Sequence, residues 1–155
     1  MTYKRKDKIN YFLDIAETVS ERGTCLRRNY GAVIVKDDIV ISTGYTGSPK
    51  GTENCCDRNT CFRKENNIPS GTRYELCRSV HAEANAIINA DIEKLKDAEL
   101  YLVGKEYGSD FYVENADCCS MCKRMIINAG IQTVYVRLNS LQYKKINVRN
   151  WIKKI

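Results

Sequence analysis

The sequence has no apolar run that approaches the roughly twenty residues of a membrane-spanning helix, which excludes a helical membrane protein. Its first eight residues are mostly charged and lead into no apolar signal core, so we do not expect secretion. Eight cysteines would suit a disulfide scaffold only in an exported protein, and here they indicate metal binding in a reducing cytoplasm. The length and the 43% apolar content predict one domain over residues 1–155.

Neither sign of charge is in great excess, because 25 basic and 19 acidic residues give a net charge of +6. This balance suits a phosphate-bearing partner and equally a generic basic surface. A basic tail over residues 139–155 contains Lys144, Lys145, Arg149, Lys153 and Lys154. Its simplest interpretation is a solvated face or a subunit contact, so nucleic acid is not an expected partner.

Histidine occurs once, as His81, two residues before Glu83. Farther along the chain, Cys119 and Cys122 are spaced so that both sulfurs lie on one face if Cys119 opens a helix. The partial positive charge of a helix N-terminus favours thiolate there. One imidazole and two thiolates are good zinc ligands, and three protein ligands leave the fourth position to water, as a catalytic site requires. We therefore predict one catalytic zinc on these three residues.

Other short motifs accompany this pattern in a fixed order, and several in order are far more specific than any one alone. They span residues 25–28, 31–36, 42–49, 81–87 and 119–122. With them the sequence resembles the zinc-dependent cytidine and deoxycytidylate deaminase family, most closely its deoxycytidylate members, over about residues 9–136. The resemblance implies an enzyme that hydrolyses dCMP to dUMP and ammonia, with Glu83 as a proton carrier that does not bind the metal.

Two positions depart from the family pattern. Cys118 stands where the family usually has proline before the first cysteine of the pair. Cys118 and Cys122 could also share one helix face, but the family spacing and Met121 favour Cys119 with Cys122. Thr46 replaces the usual asparagine, which weakens the transfer of nucleotide contacts, and of nucleoside-triphosphate regulation, to this turn.

The resemblance also suggests residues that bind the nucleotide substrate. Thr46 and Asn85 are candidate sugar or base contacts. Four basic residues beside matching segments are candidates for the phosphate, namely Arg27, Arg28, Lys50 and Arg124. Hexamers occur in the family, so a homo-oligomer is expected.

Periodicity and resemblance together predict an α/β fold, a three-layer α/β/α sandwich around a mixed sheet of about five strands. Apolar spacing predicts helices over 9–19, 80–88 and 121–129, with Ser79 as a cap of the second. It also predicts a hairpin from 33–35 and 39–45, and strands over 100–103 and 134–138. A last strand over 143–148 follows so short a connection that it must pair antiparallel or leave the sheet.

Two segments look like elaborations around the cleft. Residues 46–78 form a cysteine-rich insertion without periodicity, which predicts a functional or metal-clamped loop. A second, structural zinc on Cys25, Cys55, Cys61 and Cys77 is one interpretation, and small buried hydrophobic residues are the other. Residues 105–117 are expected to form an active-site loop, whose aromatic residues could cover a pyrimidine or pin the loop to the core: Tyr107, Phe111 and Tyr112.

Two alternatives to dCMP deamination remain at this point. One is a related deaminase that acts on cytidine, a modified pyrimidine or adenosine in tRNA. The long segment between Tyr45 and Cys77 argues against the compact tRNA and nucleoside deaminases among these. The other is a non-catalytic zinc-binding nucleic-acid module. Glu83 argues against that class, because a structural zinc site has no use for a carboxylate that is not a ligand.

Overall fold

A central mixed sheet organises the chain in the computed structural model, which describes residues 2–154. Its strands are β1 (Arg28–Lys36), β2 (Ile39–Tyr45), β3 (Glu99–Glu106), β4 (Thr133–Arg137) and β5 (Tyr143–Asn147). They lie in the order β2-β1-β3-β4-β5, with β3 and β4 parallel and the other neighbouring pairs antiparallel. The predicted mixed sheet is confirmed, and β5 takes the antiparallel pairing that its short connection required.

Helices cover both faces of this sheet. They are α1 (Lys8–Ser20), α2 (Cys55–Arg58), α3 (Phe62–Glu65), α4 (Ala82–Asn89), α5 (Ser120–Ala129) and α6 (Arg149–Ile152). Alternation along β1 divides the core: Ala32 and Ile34 pack with α4 and α5, whereas Val33 and Val35 pack with α1. The three-layer sandwich is therefore confirmed. No helix within residues 2–154 is long and apolar enough to cross a membrane.

Local sequence signals account for the best-predicted elements. The Asp7 side chain caps α1 by accepting a hydrogen bond from the backbone N–H of Asn10. Asp37 and Asp38 turn the hairpin with φ of 49° and 63°, the left-handed geometry that suits a tight two-residue connection.

One expectation needs correction. The 46–78 segment is not devoid of regular elements, because it contains α2, α3 and a short 3₁₀ helix over Tyr74–Leu76. These elements have three or four residues each, which show too few repeats for periodicity to reveal them. In the basic tail, β5 corresponds to the strand predicted over 143–148, and α6 follows it.

A charged network ties α1 to the sheet on the face opposite α4 and α5. Arg137 is 4% exposed, and its Nη1 lies 2.8 Å from both Asp14 Oδ1 and Glu17 Oε2. Lys105 Nζ lies 2.9 Å from Glu17 Oε1, and the Tyr112 hydroxyl donates to Glu17 Oε2 at 2.8 Å. Glu17 thus joins α1, β3, β4 and the loop after β3, which pins that loop to the core.

The network predicts an acid-sensitive contribution to stability. Burial acts to raise the pKa of Glu17, but hydrogen bonds from Lys105, Tyr112 and Arg137 outweigh it and hold the pKa below the ordinary 4.5. Because the folded-state pKa is the lower one, ionised Glu17 stabilises the fold above its unfolded-state pKa and loses this effect as pH falls through the folded-state value. Glu17→Gln should lower the free energy of unfolding by about 2 kcal/mol at neutral pH, measured by urea denaturation.

The same measurements on acidification supply the control. The difference between wild type and Glu17→Gln should shrink as pH falls below 4.5. Glu21→Gln, at an exposed position near the end of the same helix, should change stability by less than about 0.5 kcal/mol. A deficit for Glu17→Gln that stays constant down to acid pH would contradict the assignment.

Candidate metal centre

Two helix N-termini meet at the centre of the site. His81 is the N-cap residue of α4, and Cys119 is the N-cap residue of α5. The prediction of a cap at Ser79 was therefore wrong by two residues, because the chain stays extended through Val80, which pairs with Gly47. Cys122 lies in the first turn of α5, one turn from Cys119, as the spacing predicted.

Close packing of α4 on β2 fixes the position of His81. A Cβ atom on Gly44 would lie 2.2 Å from the backbone nitrogen of Ala86, so only glycine allows the helix to approach this strand so closely. The Ser42 hydroxyl then donates to the carbonyl oxygen of Ala86 at 2.8 Å. Asn89 Nδ2 donates to the carbonyl of Thr43 at 2.9 Å, which satisfies an acceptor on the edge strand.

Asn85 belongs to this anchoring system. Its Nδ2 donates to the carbonyl oxygen of Tyr45 at 2.8 Å and also lies 3.4 Å from that of Val80. Asn85 does not line the cavity beside the metal ligands. The amide nitrogen of Asn85 therefore holds α4 to β2, and the sugar or base contact stays a prediction.

His81, Cys119 and Cys122 form a cluster that fits zinc. His81 Nδ1 lies 3.4 Å from both sulfurs, and the three ligand atoms lie within 4.8 Å of one another. Zn–N and Zn–S bonds of about 2.1 and 2.3 Å at tetrahedral angles would separate nitrogen from sulfur by about 3.6 Å. The donor set and its spacing therefore suit zinc, and the three ligands leave one position of a tetrahedron to a further ligand.

One of the two sulfur atoms, that of Cys119, is prepared for metal binding, whereas the hydrogen bond with Cys119 and burial raise the pKa of the Cys122 thiol. Hydrogen bonds from Cys122 and His81 lower the pKa of the Cys119 thiol well below its ordinary value. The backbone N–H of Cys122 also donates to Cys119 Sγ at 3.4 Å, which stabilises a thiolate at the start of α5. A bound zinc ion would favour the thiolate form of both cysteines.

Glu83 lies in the first turn of α4, is 3% exposed and lines the cavity that contains His81 and Cys119. Burial raises its pKa above the ordinary 4.5. Cys118 is also buried, and its thiol acts to lower the pKa of the Glu83 carboxyl group, against the larger effect of burial. Cys118 is not in the ligand cluster, so the structure brings together Cys119 and Cys122, the pair that the family spacing favoured.

A cavity opens beside this cluster, and several predicted residues line it. His81, Glu83, Cys119, Thr46, Arg27 and Arg28 are among its walls. Lys50 and Arg124 are exposed and do not line it, so the structure does not place these two phosphate candidates at the site. Proximity in sequence to a matching segment did not determine which way their side chains point.

Tyr30 is a cavity residue that the sequence did not reveal. It pairs with Gly104 across β1 and β3, and a Cβ on Gly104 would lie 2.6 Å from the Tyr30 ring. The absence of a side chain at Gly104 therefore lets the ring lie over the neighbouring strand. Burial, followed by the charge of Glu83, raises the pKa of the Tyr30 phenol well above its ordinary value.

Arg63 and Tyr74 also line the cavity and come from the cysteine-rich insertion. The Arg63 guanidinium lies 4.7 Å from the centre of the Tyr74 ring, and this ring meets the His81 ring edge-on at 4.8 Å. Neither residue belongs to a periodic pattern, so the sequence offered no signal beyond the irregularity of the segment.

The aromatic residues of the 105–117 segment lie elsewhere. Tyr107 and Phe111 are exposed, and Tyr112 packs on the α1 side of the sheet. Of this segment only Asp117 lines the cavity. Tyr112 therefore fits the second of the two interpretations, in which an aromatic residue holds the loop to the core.

The structure does not assemble a second metal site from the predicted cysteines. Within residues 2–154, the one group of three or more potential ligands is the His81 cluster. Cys25, Cys61 and Cys77 line the cavity, and Cys55 Sγ lies 3.9 Å from the Ser79 hydroxyl. The geometry thus favours the alternative, in which these cysteines act as small packing residues.

The family of cytidine and deoxycytidylate deaminases, through its zinc-binding region, matches residues 6–138. A deoxycytidylate deaminase of Mycobacterium phage D29 is 36% identical over 135 residues, which cover 84% of this chain and 94% of that protein. A deoxycytidylate deaminase of Schizosaccharomyces pombe is 30% identical over 125 residues, covering 81% of this chain but 35% of the yeast protein. The chain belongs to the zinc-binding cytidine and deoxycytidylate deaminase family.

Solved structures share the fold. The apo crystal structure of dCMP deaminase from cyanophage S-TIM5 superposes with a TM-score of 0.58 at 24% identity, covering 88% of this chain and 90% of that chain. Cytidine deaminase from Burkholderia pseudomallei also gives a TM-score of 0.58, at 16% identity, covering 97% of this chain and 95% of that chain. At these identities the likeness concerns the architecture, which this chain shares with enzymes named for different substrates.

The site predicts that one mutation can abolish deamination without loss of zinc, whereas another abolishes both. Glu83→Gln should retain zinc and lose several orders of magnitude in deamination rate, because the amide cannot carry the proton. Cys122→Ala should lose zinc and activity together, whereas Cys118→Ala should retain zinc, since its sulfur lies outside the cluster. Elemental analysis and ammonia release measure the two properties. Loss of zinc from Glu83→Gln or from Cys118→Ala would contradict these roles.

Proposed function

We propose that this protein deaminates dCMP to dUMP and ammonia by hydrolysis. The observation that carries the proposal is a zinc-compatible cluster of His81, Cys119 and Cys122 beside a buried, non-ligating Glu83 in one cavity. Family membership supports the chemistry, and the 36% identity to a phage deoxycytidylate deaminase over almost its whole length supports the substrate.

The chain's own residues divide the work of the reaction. A bound zinc ion supplies Lewis-acid activation of water near neutral pH. Glu83 takes a first proton from the attacking water and transfers it to N3 of the cytosine ring. It then takes the proton that remains on the attacking oxygen, which becomes the carbonyl oxygen of uracil, and passes it to the departing amine. The raised pKa of this buried carboxyl group suits both acceptance and release of a proton.

The cavity walls orient the nucleotide. Thr46 lines the cavity, but its hydroxyl already accepts a hydrogen bond from the backbone N–H of Tyr30 at 3.0 Å. The Thr46 hydroxyl therefore contacts the substrate only through the hydrogen-bonding capacity that the bond to Tyr30 does not use. The Tyr30 ring, supported by Gly104, provides a flat wall near Glu83 against which a pyrimidine or sugar packs.

We propose that residues 1–155 act as one domain, in which the 46–78 insertion supplies a cavity wall. The shared sheet and the two cores that flank it support this.

A homo-oligomer, up to the hexamers of the family, is supported by exposed apolar side chains at Ile88, Ile92 and Ile39. The eight cysteines, all within the described residues, are free thiols, which supports a cytoplasmic location.

The substrate proposal predicts a strong preference for the nucleotide over the nucleoside. Charge-assisted hydrogen bonds to the phosphate supply binding energy that holds C4 in place for attack, so removal of the phosphate should lower kcat/KM. We expect dCMP to exceed deoxycytidine by about a hundredfold or more, as lost charge-assisted contacts imply. Ammonia release from dCMP, deoxycytidine, CMP, cytidine and a tRNA anticodon stem measures this. Equal turnover of dCMP and deoxycytidine would contradict the nucleotide assignment.

A further inference from the structure

The cysteine-rich insertion buries a positive charge beside the metal centre. Arg63, in α3, is 6% exposed and lines the cavity. Its Nη2 donates to the carbonyl oxygens of Pro69 at 2.9 Å and Thr72 at 2.7 Å. These two bonds hold the guanidinium in one orientation and close the loop that follows α3.

Most of the donor capacity of Arg63 is unused. Its Nε is buried and has no hydrogen-bond partner among the described residues. No carboxylate within residues 2–154 forms an ion pair with it. Because arginine stays protonated, a buried and unpaired guanidinium is costly to keep in a fold. Arg63 lines the cavity, so an anion that enters it would compensate this charge.

Arg27 also lines the cavity and also has a donor without a partner. Its Nη1 is buried without a partner, and within the described residues it too forms no ion pair. Its neighbour Arg28 differs, since Arg28 Nε pairs with Glu106 Oε1 at 3.0 Å. The cavity therefore contains two arginines with orphaned donors and one whose charge is already compensated.

The position of Arg63 relates this charge to the reacting centre. Its guanidinium lies over the Tyr74 ring, and the same ring meets the His81 ring edge-on. The Arg63 guanidinium and the zinc ligand His81 thus contact one aromatic ring and line one cavity. A substrate with its reactive base at the metal and an anionic group elsewhere matches this arrangement.

We propose that Arg63, together with Arg27, binds the phosphate of the nucleotide and is the residue that makes the enzyme specific for a nucleoside monophosphate. The identity of the ligand rests on the proposed function, whereas the anion site rests on the two guanidinium groups themselves. Planar guanidinium groups bind phosphate oxygens through paired charge-assisted hydrogen bonds. The insertion then does more than cover the cleft, because it supplies the group that distinguishes nucleotide from nucleoside.

The kinetic test compares two substrates in the zinc-loaded full-length enzyme. Arg63→Ala should lower kcat/KM for dCMP by about thirtyfold or more, the loss expected for one charge-assisted contact. The value for deoxycytidine, which has no phosphate, should change less than about threefold. Arg63→Lys should recover part of the loss, because it restores the charge without the planar pair of donors. Arg58→Ala, an exposed arginine of the same insertion that lies outside the cavity, is the matched control and should leave both substrates unchanged.

Equal losses for dCMP and deoxycytidine in Arg63→Ala would overturn the proposal, because they would show that Arg63 only holds the loop at Pro69 and Thr72. Should Arg63→Ala fail to fold, Arg63→Lys and Arg27→Ala carry the same comparison. Each should reduce the preference for dCMP, and an unchanged preference in both would overturn the proposal.

A binding measurement separates this proposal from the assigned substrate. Inorganic phosphate, titrated calorimetrically into zinc-loaded protein, should bind the wild type and Arg58→Ala more tightly than Arg63→Ala. If phosphate binding weakens in Arg63→Ala while no protein turns over dCMP, the anion site stands and the dCMP assignment fails. If dCMP is turned over and phosphate binds wild type and Arg63→Ala equally, the deaminase assignment stands and Arg63 is not the phosphate ligand.

Discussion

The site depends on the contact between α4 and the edge strand β2. Gly44 removes the side chain that would collide with the Ala86 backbone, and Ser42 then bonds directly to that helix. Asn85 adds a bond from the helix back to the strand. These contacts fix where α4 begins, and therefore where His81 faces the sulfur atoms of α5. A metal centre built from two separate helix starts is accurate only if both helices are held rigidly on the sheet.

The two faces of the sheet carry different kinds of interaction. The face covered by α4 and α5 contains an apolar core and the metal cluster. It also contains the buried Glu83 carboxyl group, whose ionised form is costly in these surroundings. The α1 face instead contains the network of Arg137, Asp14, Glu17 and Lys105. That network is fully paired in charge and lies away from the cavity, so it contributes to the position of the loop after β3 and not to the chemistry.

The 46–78 insertion is ordered by contacts that no short-range pattern describes. Arg63 bonds to the carbonyl oxygens of Pro69 and Thr72 and stacks on Tyr74, so one side chain organises three parts of the segment. The four cysteines of the segment are free thiols, of which Cys55 and Cys61 are buried. A loop of this length gains order from a few such long side chains, whereas a helix or strand gains it from repeating backbone hydrogen bonds.

The sequence by itself determined the features that follow from local geometry. The spacing of Cys119 and Cys122 on one turn, and of His81 and Glu83 at a helix start, is a property of neighbouring residues, so the metal cluster and the carboxyl group near it were predictable. The same holds for the strands and the longer helices, whose apolar repeats are visible along the chain.

Only the tertiary structure decided which basic and aromatic residues share the cavity. It selected Arg63, Tyr74 and Tyr30 and placed Lys50 and Arg124 outside. It also gave the amide of Asn85 to the edge strand and left Cys25, Cys55, Cys61 and Cys77 without a metal-binding geometry. The physical reason is that the direction of a side chain depends on long-range packing, such as the bare surface of Gly104 beneath Tyr30, and neither residue type nor position in a motif records it.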